Sequence, residues 1–326
     1  MIDKLIENIL DITHNHYHAL LNLENVNGVG VGFKYINKIN TLIPCIHVLV
    51  DYKVASKYLT SNNIIPKTYM GINTDVIQTS YPHALNGNIA ISQKFRPLEY
   101  GCGISPDRFF DEGSTLSGTL GCIVTRTYLK IFKRYYILSN NHVLTNLNKF
   151  PIGTPVIQPS FMSGGISGFN KIATLSDFIP LQFEDGDIQP INYVDSALAL
   201  IKNKSLVSSK IRQLGLVKGF NTDENIIGTN VKKVGFITGL TSGTVLSIGA
   251  IQGVTYNNKT IKALFKNVIV ANLIATSGDS GCMVFNDNNE IIGQLFAGTQ
   301  SGKSYIIPIN TILNLLNVQI YSTYSL

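Results

Sequence analysis

The sequence predicts a mainly β protein with a small N-terminal α/β module and a leading helix. Three observations carry this. From Ser117 onward, short apolar runs of strand length are punctuated by glycine and proline, the spacing of an all-β sandwich or a pair of barrels. Before residue 23, apolar residues recur instead at steps of three and four. Between the two regions lie a few β-rich runs, followed by a stretch with no apolar periodicity.

Taken in order, residues 1–23 form an amphipathic helix. From Asp3 to Leu23, the side chains of Leu5, Ile6, Ile9, Leu10, Ile12, Tyr17, Leu20 and Leu21 share one stripe, which must be covered. It docks on the neighbouring module or recruits a regulatory partner protein. Residues 24–90 read as the α/β module: "VNGVGVGFKYINKINTLIPCIHVLVDYKV" holds two β-rich runs around a polar "NKIN" turn, "SKYLTSNNIIP" is a helical piece and "TDVIQTS" a third strand. Residues 91–112, which cover most of "QKFRPLEYGCGISPDRFFDEG", contain proline and glycine with few periodic apolar residues and are assigned as a linker. Residues 113–326 carry the short strands, from "GTLGCIVTRTYLK" to "SYIIPI", and close with a brief amphipathic helix, "INTILNLLN", after Pro308.

Composition narrows the function classes. The 326 residues are 44% hydrophobic and 14% charged, which is globular and neither disordered nor coiled-coil. The net charge of +6 is scattered, and the densest basic cluster, "YLKIFKRYY", alternates with apolar residues as a solvated strand face does. A nucleic-acid partner is not expected. No apolar run approaches the ~18 to 20 residues that span a bilayer, and Asp3, Glu7 and Asp11 interrupt the first apolar pattern, unlike a secretion signal. A membrane partner is not expected either, and a cytoplasmic location is. Cys45, Cys102, Cys122 and Cys282 have no CxxC spacing, so no zinc cluster or disulfide framework is indicated. His14 and His18 have metal-ligand spacing, but with no further ligand cluster they read as solvent-facing. Neither a metal nor a cofactor is expected.

The chemistry centres on "ATSGDSGCMVF", residues 275–285. If Ser280 is a nucleophile, it needs a base, an acid to orient that base, and donors for an oxyanion. Of six histidines, His14, His16 and His18 lie in the first helix, His47 in a core strand and His83 in a loop; His142 alone shares the β-rich region with Ser280. His142 follows the apolar run in "YYILSNNHVL", a place where a side chain is held rigidly yet reaches a cleft. Asp195, in "NYVDSALALI", stands just before a mostly apolar strand; Asp177, Asp185 and Asp187 lie in acid-rich, loop-like surroundings and are weaker candidates.

The segments "SGTLGCIVTR", "YILSNNHVL", "VDSALALI" and "TSGDSGCMVF" with "NEIIGQLFAG" resemble the chymotrypsin-like, or trypsin-fold, serine peptidases in motif and in the order His, Asp, Ser. The resemblance implies two six-stranded barrels with the site between them, His142 and Asp195 on the first and Ser280 on the second. It implies Ser280 as nucleophile, His142 as base then acid, Asp195 as the group fixing the histidine tautomer, and the N–H groups of Gly278 and Ser280 as the oxyanion hole. Ile274, Ala275, Phe296, Ala297 and Gly298 would line the primary substrate pocket; with no acid among them, a small or apolar side chain is the expected preference.

Two departures from the family matter. Val143 follows His142 where secreted members have a cysteine, so Cys122 loses that partner and no bridge is expected. There is no "IVGG"-like start whose freed amine would pair with the aspartate beside the nucleophile, so Asp279 needs another partner or the enzyme is active without cleavage. The leading segment "GVGVGFKYINKINTLIPCIHVLVDYK" with "IIPKTYMGINTDVI" resembles the region preceding trypsin-like domains in a group of bacterial peptidases and in plant narrow-leaf type proteins. Together these imply a serine endopeptidase acting on protein or peptide substrates by limited, regulatory proteolysis. The alternative is a catalytically silent, peptide-binding scaffold. An esterase is secondary, since "GDSG" is not the GxSxG elbow of α/β-hydrolases.

Overall fold

The first helix, α1 (Ile2–Asn15), turns Ile6, Ile9 and Ile12 inward, and a short helical turn at His18–Leu21 adds Leu20. In this computed structural model, which describes residues 2–82, 93–110, 114–128, 131–256, 260–299 and 301–322, that stripe is docked. It packs on β1 (Val26–Ile36) and β2 (Ile39–Val50), and each buried Ile or Leu contributes about 1.5–3 kcal/mol. Asn37 and Lys38 both take positive φ, 52° and 69°, the geometry of a two-residue hairpin turn that suits the strand twist. β2 then pairs in parallel with β3 (Ile72–Gln78). The piece expected to be helical forms two three-residue 3-10 turns, Ser56–Tyr58 and Ser61–Asn63, in a stretch whose Ser and Asn side chains compete with helical backbone bonds.

The first β-sheet is built from β4 (Gly103–Pro106), β5 (Cys122–Tyr128), β6 (Phe132–Ser139), β7 (Pro155–Ile157), β8 (Lys171–Phe178) and β9 (Ala197–Ile201), with α2 (Asn141–Leu144) directly after β6. Its order is 319–320, β5, β6, β9, β8, β7, β4, 118–119. β4 is fully buried, so the assignment of 91–112 as a linker is corrected: part of that stretch is a strand of the first sheet. The antiparallel ladder from Tyr135↔Ile201 to Ser139↔Ala197 brings the end of β6 beside the start of β9. His142 and Asp195 lie just beyond those two ends.

The second sheet contains β10 (Asn230–Gly235), β11 (Gly239–Tyr256), β12 (Ile261–Asn272), β13 (Met283–Phe285), β14 (Ile291–Gly298) and β15 (Lys303–Pro308), followed by α3 (Ile309–Leu316). The pairings β10–β11–β12–β15–β14–β13–β10 close a six-stranded ring. Strand β11 is 18 residues long, and one edge serves two neighbours: β10 along 239–244 and β1 along 247–252. The N-terminal strands therefore continue the sheet of the second barrel rather than standing apart as a 24–90 module; residues 83–92, including His83, lie outside the described residues. One apolar core runs through both sheets, and a second ties α1, β1 and β2 to the second barrel. The fold is mainly β, with one closed six-stranded ring, an eight-stranded sheet that curves beside it in the order given rather than the second six-stranded barrel expected, and a leading helix. Among the described residues, no helix is long and apolar enough to cross a membrane.

Candidate active site

His142 sits in α2, one turn beyond β6, and Asp195 two residues before β9. The Asp195 carboxylate is wholly buried. Its Oδ1 accepts from the backbone N–H of His142 at 3.0 Å, and its Oδ2 from His142 Nδ1 at 2.6 Å. Asn140 Nδ2 adds a bond of 2.7 Å to the Asp195 carbonyl, which ties the two loop starts together. A carboxylate only accepts, so Nδ1 carries the ring proton and Nε2 is left as the acceptor.

Ser280 lies on the turn between β12 and β13. That turn is fastened to the first sheet: Thr119 N donates to Ser280 O at 2.8 Å and Thr119 Oγ1 to Gly278 O at 2.7 Å. Gly278 and Gly281 flank it, both at φ +94°, which favours glycine. Ser280 Oγ and His142 Nε2 are both buried, and neither has a hydrogen-bond partner among the described residues. The N–H groups of Gly278 and Ser280 likewise donate to nothing among the described residues. Buried polar groups left open together are uncommon and are what a reacting ligand would satisfy.

Residues 4–78 match the family model described as the NARROW LEAF 1 N-terminal domain. Over 307 residues the chain is 26% identical to Protein NARROW LEAF 1 of Oryza sativa subsp. japonica, covering 83% of this chain and 51% of that protein. The chain thus spans about half the length of the curated relative it matches. Among solved structures it is similar to Thermobifida fusca Protease A (18% identity, TM-score 0.47) and to Cellulomonas bogoriensis chymotrypsin (16%, 0.44), each covering 69% of this chain and 98% of the other.

The other sequence candidates separate cleanly. Asp177 is engaged with Arg126 at 2.6 Å, and Asp185 and Asp187 are exposed. His47 is a core residue between Ser247 Oγ (2.6 Å) and the carbonyl of Phe33 (2.9 Å), and burial lowers its pKa. His14, expected to face solvent, instead donates to the Gly249 carbonyl at 3.1 Å because α1 is docked on the second barrel. Among the described residues no group of three or more His, Cys, Asp or Glu is placed to hold a metal. The five expected pocket residues do not form one open wall. Ile274 is 64% exposed and Ala275 half-buried, whereas Phe296 packs its ring on Phe265 at 4.7 Å in the core and Ala297 and Gly298 are buried.

Two residues that the sequence reading missed complete the site. Tyr256, the last residue of β11, donates its hydroxyl to Asp195 Oδ2 at 3.0 Å and packs its ring 5.7 Å from that of His142. Burial, followed by the Asp195 charge, pushes its pKa well up, so it stays a donor. Lys233, on β10, is wholly buried with its Nζ 3.2 Å from Asp279 Oδ2. A signal for it existed: two-residue alternation puts Lys233 on the face of buried Val231. Tyr256 had none, because its contact spans 61 residues of chain.

Proposed function

We propose that this protein is a serine endopeptidase that hydrolyses peptide bonds through an acyl-enzyme. Ser280 Oγ attacks the scissile carbonyl, His142 Nε2 takes the proton and returns it to the leaving amine, and Asp195 holds the imidazole in the tautomer that allows this. The N–H groups of Gly278 and Ser280 receive the oxyanion. The observation carrying the reading is an imidazole oriented by a buried carboxylate, with a buried serine hydroxyl and two N–H groups that have no partner among the described residues. Substrates are proteins or peptides with a small or apolar side chain beside the scissile bond, cut at few sites. Four buried, free cysteines suit a cytoplasmic setting, and the N-terminal region is the place where a regulatory protein would act.

Wild type and Ser280→Ala are incubated with a fluorophosphonate probe and their intact masses measured. A single adduct on the wild type and none on Ser280→Ala is the expected result. A folded wild type that takes no label over a day refutes the reading and leaves the silent peptide-binding scaffold.

A further inference from the structure

We propose that the outer edge of β3 is a docking site for an extended, acidic peptide segment, which adds to the sheet as a further strand. This gives a surface and a chemistry to a regulatory protein acting at the N-terminal region, and it does not depend on Ser280 being a nucleophile. β3 lies near the end of the larger sheet, where only the two-residue strand Thr68–Tyr69 pairs with its outer side, at Asn73 and Ile72. Two backbone bonds set the phase of the strand: Thr74 N–H donates outward to Lys67 O at 3.0 Å, and Thr79 N–H inward to Val50 O at 2.9 Å. Successive residues of a strand turn their backbone groups to opposite sides, so the N–H and C=O of Val76 and Gln78 face outward. No strand lies there, and neither residue has another backbone partner on that side among the described residues.

Beside this bare edge lies a cavity of about 550 Å³, lined by residues 73–76 and by the apolar side chains of Val50, Val54, Leu59, Ile64 and Ile65. Ile64 is 45% exposed. Open backbone groups at strand spacing are satisfied by another extended backbone, and the apolar walls receive its alternate side chains. Charge decides which peptide fits. Lys67 stands opposite Thr74 at one end of the bare edge, and Lys53, whose N–H donates to Gln78 Oε1 at 3.2 Å, stands at the other. Neither ammonium is in an ion pair among the described residues. The two acids lining the cavity are already engaged, Glu24 by Asn63 Nδ2 and Asp75 by Tyr35 N–H, each at 2.7 Å. Across residues 34–67 the sequence sets Lys34, Lys38, Lys53, Lys57 and Lys67 against Asp51 alone, a field that favours a segment bearing carboxylates.

The test uses the whole chain carrying Ser280→Ala, so that the probe is not cut, and a fluorescein-labelled octapeptide of alternating Glu and Val. Saturable binding by fluorescence anisotropy is expected, with amide hydrogen exchange slowed over residues 74–79 and unchanged around position 280. Adding Lys53→Glu and Lys67→Glu should weaken binding about tenfold at low salt, where exposed charges are least screened. Both side chains are exposed, so the melting curve should not move. N-methylating the alternate set of peptide amides that faces the edge should also weaken binding about tenfold, because the added strand loses its donors, while methylating the other set should not. Absence of saturable binding overturns the proposal and leaves the two lysines as guards against edge-to-edge pairing. Binding that survives both lysine substitutions overturns it as well. So does binding that needs the lysines but tolerates both methylated peptides, the behaviour of a site for a small anion. None of these readouts depends on peptidase activity.

Discussion

Removing one oxygen atom, in Tyr256→Phe, isolates the contribution of a single donor to the His–Asp pair. The Asp195 carboxylate has no exposed surface and accepts three bonds: His142 N at 3.0 Å, His142 Nδ1 at 2.6 Å and Tyr256 OH at 3.0 Å. Phenylalanine keeps the ring against His142 and against Phe183, 6.2 Å away, so packing is preserved and only the hydroxyl is lost. A hydrogen bond to a charged group contributes about 1.5–3 kcal/mol. If that loss falls on the imidazolium formed during attack, the labelling or hydrolysis rate drops roughly 10- to 100-fold, at 1.4 kcal/mol per decade. To the extent that it falls on the ground state, Tm drops by a few degrees instead. The raised pKa of the phenol keeps it a donor across the neutral range, so the rate ratio of variant to wild type is flat from pH 6 to 9. Second-order labelling rates and thermal melts of both proteins measure this. Rates within twofold and identical melts would refute the view that Tyr256 orients the acid.

Gly281→Ala places a Cβ 2.3 Å from Ser139 Oγ and 2.6 Å from the Thr119 carbonyl, at φ +94°. Overpacking and the unfavourable backbone region together cost about 2–4 kcal/mol, read as a lower denaturant midpoint. Cys45, Cys102 and Cys282 have thiols pushed up to about 12, chiefly by burial, and Cys122 is raised by the same cause. A disulfide reagent at pH 8 should therefore label none of the four in the native protein and all of them after denaturation. His47 is buried with its pKa below the ordinary 6.5, so it folds neutral while the unfolded chain takes up a proton first. Its contribution is intact above about pH 6.5 and is lost as pH falls through that value. Between pH 7.5 and 5.5 the decline in Tm should be shallower in His47→Gln than in wild type.

The three candidate residues were legible because each sits at a strand end with a local signature: an apolar run before His142, an apolar run after Asp195, and small residues around Ser280. The helix stripe was legible for the same reason, as a local period. What was not legible depends on pairing between distant segments. "GCGISP" shows no alternation because both faces of β4 are buried, so it resembled a linker. The merging of β1 with β11 is set by the length of β11, which the sequence pattern divides at its glycines. The pocket residues were mislocated in part because Phe296 and Ala297 turn out to be core, a matter of how β14 faces Phe265 rather than of spacing from Ser280.

The shared edge of β11 makes the first eighty residues a guard as well as a neighbour. Stripped of β1, residues 247–252 would present bare N–H and C=O groups beside the apolar side chains that α1 covers, the profile of a strand that seeks another chain. The same strand runs on to Thr255, whose N–H donates to the Pro82 carbonyl at 3.2 Å, and to Tyr256 on Asp195, while Ser301 Oγ donates to the Thr79 carbonyl at 2.8 Å. A unit trimmed to residues 113–326 would keep His142, Asp195 and Ser280 and lose the cover over this edge.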